Sequence, residues 1–147
     1  MPRIEDFLTS QEEQQIVEAI RIAEKTTSGE IRVHLESQTS TEPLKRAVEV
    51  FHLLKMDTTA QRNGVLFYFA VQDKKFAIYG DEGINKLVPA DFWESTKNQM
   101  KAYFQKGQFY QGIIEGILKA GEELKRYFPY QKEDINELPD DISKGEI

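Results

Sequence analysis

The 147-residue chain predicts an α/β domain around a small mixed β-sheet, in which a parallel β-α-β unit continues into an antiparallel hairpin. Three observations lead there. Val65 to Val71 is an unbroken apolar and aromatic run, the signature of a central strand buried on both faces. Gln72-Asp73-Lys74 is a polar turn short enough to send the chain straight back through Phe76, Ala77, Ile78 and Tyr79. Upstream, Glu30 to Glu36 alternates polar and apolar residues, and a helical pattern separates it from the central run. That order calls for a right-handed parallel crossover.

The elements follow in sequence. Thr9 or Ser10, followed by Glu12 and Glu13, marks a helix start, because a hydroxyl caps free amides and carboxylates suit the positive end of the helix dipole. Ile16, Ala19, Ile20 and Ala23 repeat at helical spacing until Thr26-Thr27-Ser28-Gly29 stops them. The strict alternation of Glu30-Ile31-Arg32-Val33-His34-Leu35-Glu36 predicts a strand with one wet face, with His34 on the exposed side. Ser37 to Glu42 is a polar loop. Pro43 suits the first turn of a second helix with Ala47, Val50, Phe51 and Leu54 on its apolar face, ending near Lys55.

After the hairpin comes an acidic loop, Gly80-Asp81-Glu82-Gly83. Pro89-Ala90-Asp91 then leads into a helix bearing Phe92, Trp93, Met100, Tyr103 and Phe104 and ending about Gly107, the aromatic set being read as core. A last helix carries Phe109, Ile113, Ile117, Ala120, Leu124 and Phe128. Its Gly112 and Gly116 each cost about 1 kcal/mol of helix propensity relative to Ala. Their four-residue spacing puts both on one face, where close packing on a neighbour compensates. Residues 1–130 are expected to form the domain and 131–147 an acidic tail, extended or mobile, since Lys132 to Asp141 lacks apolar periodicity.

Composition bounds the function. With 39% hydrophobic and 30% charged residues, 9 Phe and 6 Tyr, the chain has the makings of one compact domain. A net charge of -6 disfavours nucleic acid and anionic lipid surfaces as electrostatic partners, leaving small cations or ordinary proteins. With no Cys there is neither a thiolate nucleophile nor a cysteine zinc site. The longest apolar run falls far short of the roughly 20 residues that span a bilayer, and Met1 to Asp6 does not read as a signal peptide, so no membrane insertion and a cytoplasmic location are expected. No nucleotide-binding, serine-hydrolase or zinc-protease motif occurs.

Strand direction locates the candidate site. The first strand starts at Glu30, the second near Asn63, and the third runs backwards to finish at Gly80. Three loops therefore converge at one edge of the sheet: 26–30, 56–63 and 80–83. They offer the carboxylates of Glu30, Asp57, Asp81 and Glu82, with Ser28, Thr58, Thr59 and the side-chain carbonyl of Asn63 as neutral oxygens. Hard divalent cations take oxygen ligands of this kind, calcium six to eight and magnesium fewer with retained waters. A plainer reading has these acids facing water, Glu30 paired with Arg62, and Gly80 and Gly83 serving turn geometry. Asp73 lies at the opposite edge, in the hairpin turn.

The residues Thr27-Ser28-Gly29-Glu30-Ile31-Arg32-Val33, Arg62-Asn63-Gly64-Val65-Leu66 and Ile78-Tyr79-Gly80-Asp81-Glu82-Gly83-Ile84 carry a resemblance to the TPM domain family. That family includes thylakoid-lumen phosphatase-like proteins linked to photosystem repair and a levamisole-receptor modulator. Phe92-Trp93 and Phe128-Pro129 resemble its stand-alone bacterial branch. The resemblance implies a three-layer α/β/α sandwich, binding of calcium or magnesium in some members, and acid phosphatase activity suggested for plant members. Glu30, Asn63 and Asp81 match the family pattern, whereas Asp57 and Glu82 enter from the loop geometry. Three functions follow as expectations: a divalent-cation-binding domain, a non-catalytic module for a protein partner, and a metal-dependent phosphatase. The last has no assigned catalytic residue, and Arg62 is the one cation near the three loops.

Overall fold

The computed structural model describes residues 7–130 and 142–145. Helix α1 (Ser10–Glu24) leads into β1 (Glu30–Glu36), α2 (Pro43–Leu53), a 3-10 turn (Met56–Thr58), β2 (Gly64–Ala70) and β3 (Lys75–Gly80). Then come α3 (Glu82–Asn85), α4 (Glu94–Gln105), α5 (Phe109–Leu124) and β4 (Ser143–Lys144). The sheet order is β3-β2-β1-β4, with β1 parallel to both β2 and β4, and β2 antiparallel to β3. This is a three-layer α/β/α sandwich. Among the described residues no helix is long and apolar enough to cross a membrane.

Local chemistry explains the first elements. Thr9 caps α1 in a reciprocal box: its hydroxyl accepts from Glu12 N–H at 3.1 Å and its own N–H donates to Glu12 Oε1 at 2.9 Å. In β2, Val65, Phe67 and Phe69 join the core under α1, α4 and α5, while Leu66, Tyr68 and Ala70 pack in the core under α2. All six are essentially inaccessible. The run is apolar throughout because helices cover both faces of its strand.

Four expectations are corrected. The alternation in β1 does not expose one face: Glu30, His34 and Glu36 are buried, and His34 is wholly inaccessible. Arg46 from α2, Tyr68 from β2 and Ser143 from β4 supply the polar partners that make this burial tolerable. The acidic loop after β3 is the start of α3, where Asp81 caps the helix by accepting from Glu82 N–H at 2.7 Å. Phe92 and Trp93 precede α4 in a turn closed by Phe92 N–H to Pro89 O, at 3.1 Å. Phe128 lies beyond α5, where its carbonyl accepts from Ser28 N–H at 2.9 Å and from the Thr27 hydroxyl. The acidic stretch 131–141 lies outside the described residues, whereas 143–144 pair with His34 and Leu35 as a short edge strand.

The glycines of α5 serve helix packing. A Cβ on Gly112 would sit 2.6 Å from the Phe104 ring, and one on Gly116 would sit 2.4 Å from Met100 Sδ. Gly116→Ala is therefore expected to destabilise the fold: overpacking costs about 1–3 kcal/mol, against about 1 kcal/mol gained in helix propensity. Urea unfolding checks the sign, and a more stable variant would mean that α4 yields freely to the added methyl group.

Candidate functional site

The register of the sheet assembles the rim. Glu30 pairs with Gly64 across β1 and β2, and Val65 pairs with Gly80 across β2 and β3. Glu30, Asn63 and Asp81 thus stand at neighbouring strand ends, each at most 4% exposed. The backbone stitches the loops together: Glu30 N–H donates to Asn63 O at 3.3 Å, Asp81 N–H to Gly64 O at 2.9 Å, and Gly83 N–H to Arg62 O at 2.9 Å. Asn63 is further held by its N–H to Thr59 Oγ1 at 3.2 Å and by its amide to Ser28 Oγ at 3.4 Å.

Arg62 organises the charge. Its Nε donates to Asp81 Oδ2 at 2.9 Å and its Nη2 to Asp81 Oδ1 at 3.2 Å, a bidentate clamp, while Nη1 lies 3.1 Å from Glu82 Oε1. The hydrogen bonds to Asp81 push the guanidinium above its ordinary pKa, with Asp81, Glu82 and Asp57 adding attraction. Its backbone is left-handed, φ 51°, a conformation a non-glycine residue adopts at some cost. Where the plainer reading paired Arg62 with Glu30, the guanidinium is held by Asp81 and Glu82.

The remaining predicted ligands divide. Glu82 sits at the mouth with its side chain 55% exposed. Asp57 is part-exposed and lies 3.4 Å from His52 Nδ1, yet close enough to act electrostatically on Arg62. Thr58 turns its hydroxyl to Lys55 O at 2.8 Å. Glu24 is a nearby acid that sequence reasoning missed: its Oε2 accepts from Ile31 N–H at 3.0 Å. Nothing in the α1 pattern marks it, since helix-end acids are common. Among the described residues no three His, Asp or Glu side chains form a group that could hold a metal ion as they stand.

A second polar cluster occupies the far end of β1. Glu36, 1% exposed, accepts from Arg46 Nε, from Arg46 Nη2 and from the Tyr68 hydroxyl. Burial raises the Glu36 pKa, but these hydrogen bonds outweigh it and hold the carboxyl below its ordinary value. Burial pushes Tyr68 up, reinforced by the Glu36 carboxylate. Burial also pulls His34 down against the opposing pull of Glu36, whose Oε1 is 3.5 Å from His34 Nε2. His34 Nδ1 is 2.8 Å from Ser143 Oγ. Asp73, at the same end, accepts from Thr39 N–H at 2.8 Å.

A family model described as TPM domain matches residues 4–123. Among solved structures, the BA42 protein from the psychrophilic bacterium Bizionia argentinensis is 57% identical, with a TM-score of 0.92, covering 99% of this chain and 100% of that one. Two more distant structures share the fold. The N-terminal domain of cg2496 from Corynebacterium glutamicum is 12% identical, with TM-score 0.64, covering 79% of this chain and 73% of that one. An N-terminal domain from P. gingivalis is 17% identical, with TM-score 0.66, covering 84% and 82%. No curated protein matches.

Proposed function

Because the chain belongs to the TPM domain family, we propose that it is a divalent-cation-binding domain, its ligands drawn from Glu30, Asn63 and Asp81 at the rim and Glu82 and Asp57 at the mouth. The observation that supports this reading is Arg62, whose guanidinium spans Asp81 and Glu82. A positive charge already sits where the two acids converge. The donor set fits a hard cation, being oxygen throughout and mixing carboxylates with an amide carbonyl. The rim is closed by its own arginine, and a calcium or magnesium ion competes with that arginine for the same oxygens.

Competition gives the reading a distinctive test. Titration calorimetry with calcium and with magnesium is expected to show saturable binding that Asp81→Asn abolishes. Arg62→Ala is expected to tighten it at least about three-fold, the scale of freeing acids from an exposed ion pair. No saturable binding by either the native protein or Arg62→Ala would overturn the proposal. Assaying aryl phosphate hydrolysis on the same samples separates binding from catalysis: metal-dependent turnover would move the assignment to a phosphatase.

A further inference from the structure

At the end of the sheet opposite the rim, where β2 turns into β3, the sequence places Phe69 and Phe76 on facing strands in paired register. Their rings stack at 5.7 Å. Phe104 from α4 meets Phe76 edge-on at 5.3 Å, and Phe109 from α5 stacks on Phe104 at 5.0 Å. Phe7 closes the row against Phe109 at 4.6 Å. Only Phe69 of the five is fully buried; the others border the core and remain partly open. Together they floor a groove of about 820 Å³, within the range of small-molecule sites, roughly 300–1,000 Å³.

The groove also has a charged rim of one sign. Lys74 and Lys75 border it from the hairpin turn and Lys101 from α4, all three exposed. Among the described residues none of these ammonium groups has an ion-pair partner. The neighbouring acid, Asp73, is engaged by the Thr39 N–H. An acidic chain of net charge -6 thus gathers three ammonium groups around an aromatic floor.

We propose that this groove binds a single-chain anionic amphiphile, a carboxylate on an acyl chain, with the chain on the phenylalanine floor and the headgroup among Lys74, Lys75 and Lys101. The charge complementarity selects the anion and the ring floor selects the tail. A peptide is the poorer occupant, because the floor is a row of phenylalanine rings and its backbone groups would be left without partners there. The site shares no residue with the cation rim and stands or falls independently of it.

The experiment is a titration of the full chain with sodium dodecanoate below its micelle concentration, followed by amide NMR shifts and calorimetry. Saturable binding with shifts confined to the groove lining, at Phe7, 69–76 and 101–109, is expected. Decanoate should bind more weakly, by up to about four-fold for each methylene removed. Dodecanol should bind more weakly than dodecanoate. Each of Lys74→Gln, Lys75→Gln and Lys101→Gln should weaken dodecanoate about two- to five-fold, the range of exposed ion pairs, while Lys125→Gln has no effect. Equal binding of dodecanol would overturn the headgroup assignment, and non-saturating or scattered shifts would overturn the site. Tighter binding of a hexaglutamate peptide, or self-association through the same residues, would likewise overturn it by naming another occupant.

Discussion

Replacing Glu36 by alanine is expected to lower the free energy of unfolding by about 3–5 kcal/mol, the cost of leaving a buried charge without its partner. Glu36 is the acceptor around which the far end of the sheet is organised, taking hydrogen bonds from Arg46 and Tyr68. The alanine removes the carboxylate and takes from the buried Tyr68 hydroxyl the acceptor it donates to. Urea unfolding of the variant, with Glu49→Ala as a control for an exposed partner of Arg46, measures the difference. A loss below about 1 kcal/mol, typical of a surface pair, would show that the cluster does not act as a buried unit.

The same cluster makes stability fall towards acid. The His34 pKa lies below its ordinary 6.5, so the unfolded chain takes up its proton first as pH drops. Its contribution is complete above pH 6.5 and declines below it, through the folded-state pKa. Glu36, held below its ordinary 4.5, likewise contributes fully above that value and loses its contribution as pH falls further. Urea midpoints are expected to drop in two phases, the first beginning near pH 6.5. His34→Gln should remove the first phase and leave the second.

The second large effect is expected at Gly83. A Cβ there would stand 2.2 Å from Gln61 O and 2.5 Å from Arg62 O. Both neighbours are backbone, and no rotamer change relieves the clash. Gly83→Ala should therefore cost at least about 1–3 kcal/mol, the range for overpacking. It should also break the Gly83 N–H to Arg62 O hydrogen bond that ties α3 to the start of β2. Because Arg62 clamps Asp81 and Glu82, the change should reach the rim: amide NMR is expected to show shifts over 61–64 and 80–85. Native stability with unchanged shifts at the rim would mean the two loops are not in van der Waals contact.

Much of the architecture is legible in the chain because its causes are local. The Thr9 box depends on residues three apart, and the hairpin on a three-residue turn between apolar runs. The convergence of Glu30, Asn63 and Asp81 also follows from strand direction alone, once the first two strands are taken as parallel and the third as reversed. The identity of the partners is a different matter. Arg62 is one residue from Asn63, yet its clamp on Asp81 depends on a left-handed backbone and a helix cap that periodicity does not encode.

His34 shows the limit most clearly. Its place on the polar phase of β1 is a correct reading of the backbone, since side chains alternate across a strand. Whether that phase is wet depends on what covers it: Arg46 ten residues beyond Glu36, Tyr68 on the next strand, and Ser143, which is 109 residues away. The groove beyond the hairpin has the same origin, drawing rings from two strands, two helices and the segment before α1. By itself the sequence determined the elements, their directions and the three loops that meet, because backbone geometry and hydrophobic periodicity act over a few residues. Only the tertiary structure decided which charges neutralise one another and which polar face is dry, because electrostatics and burial depend on distances between segments remote in the chain.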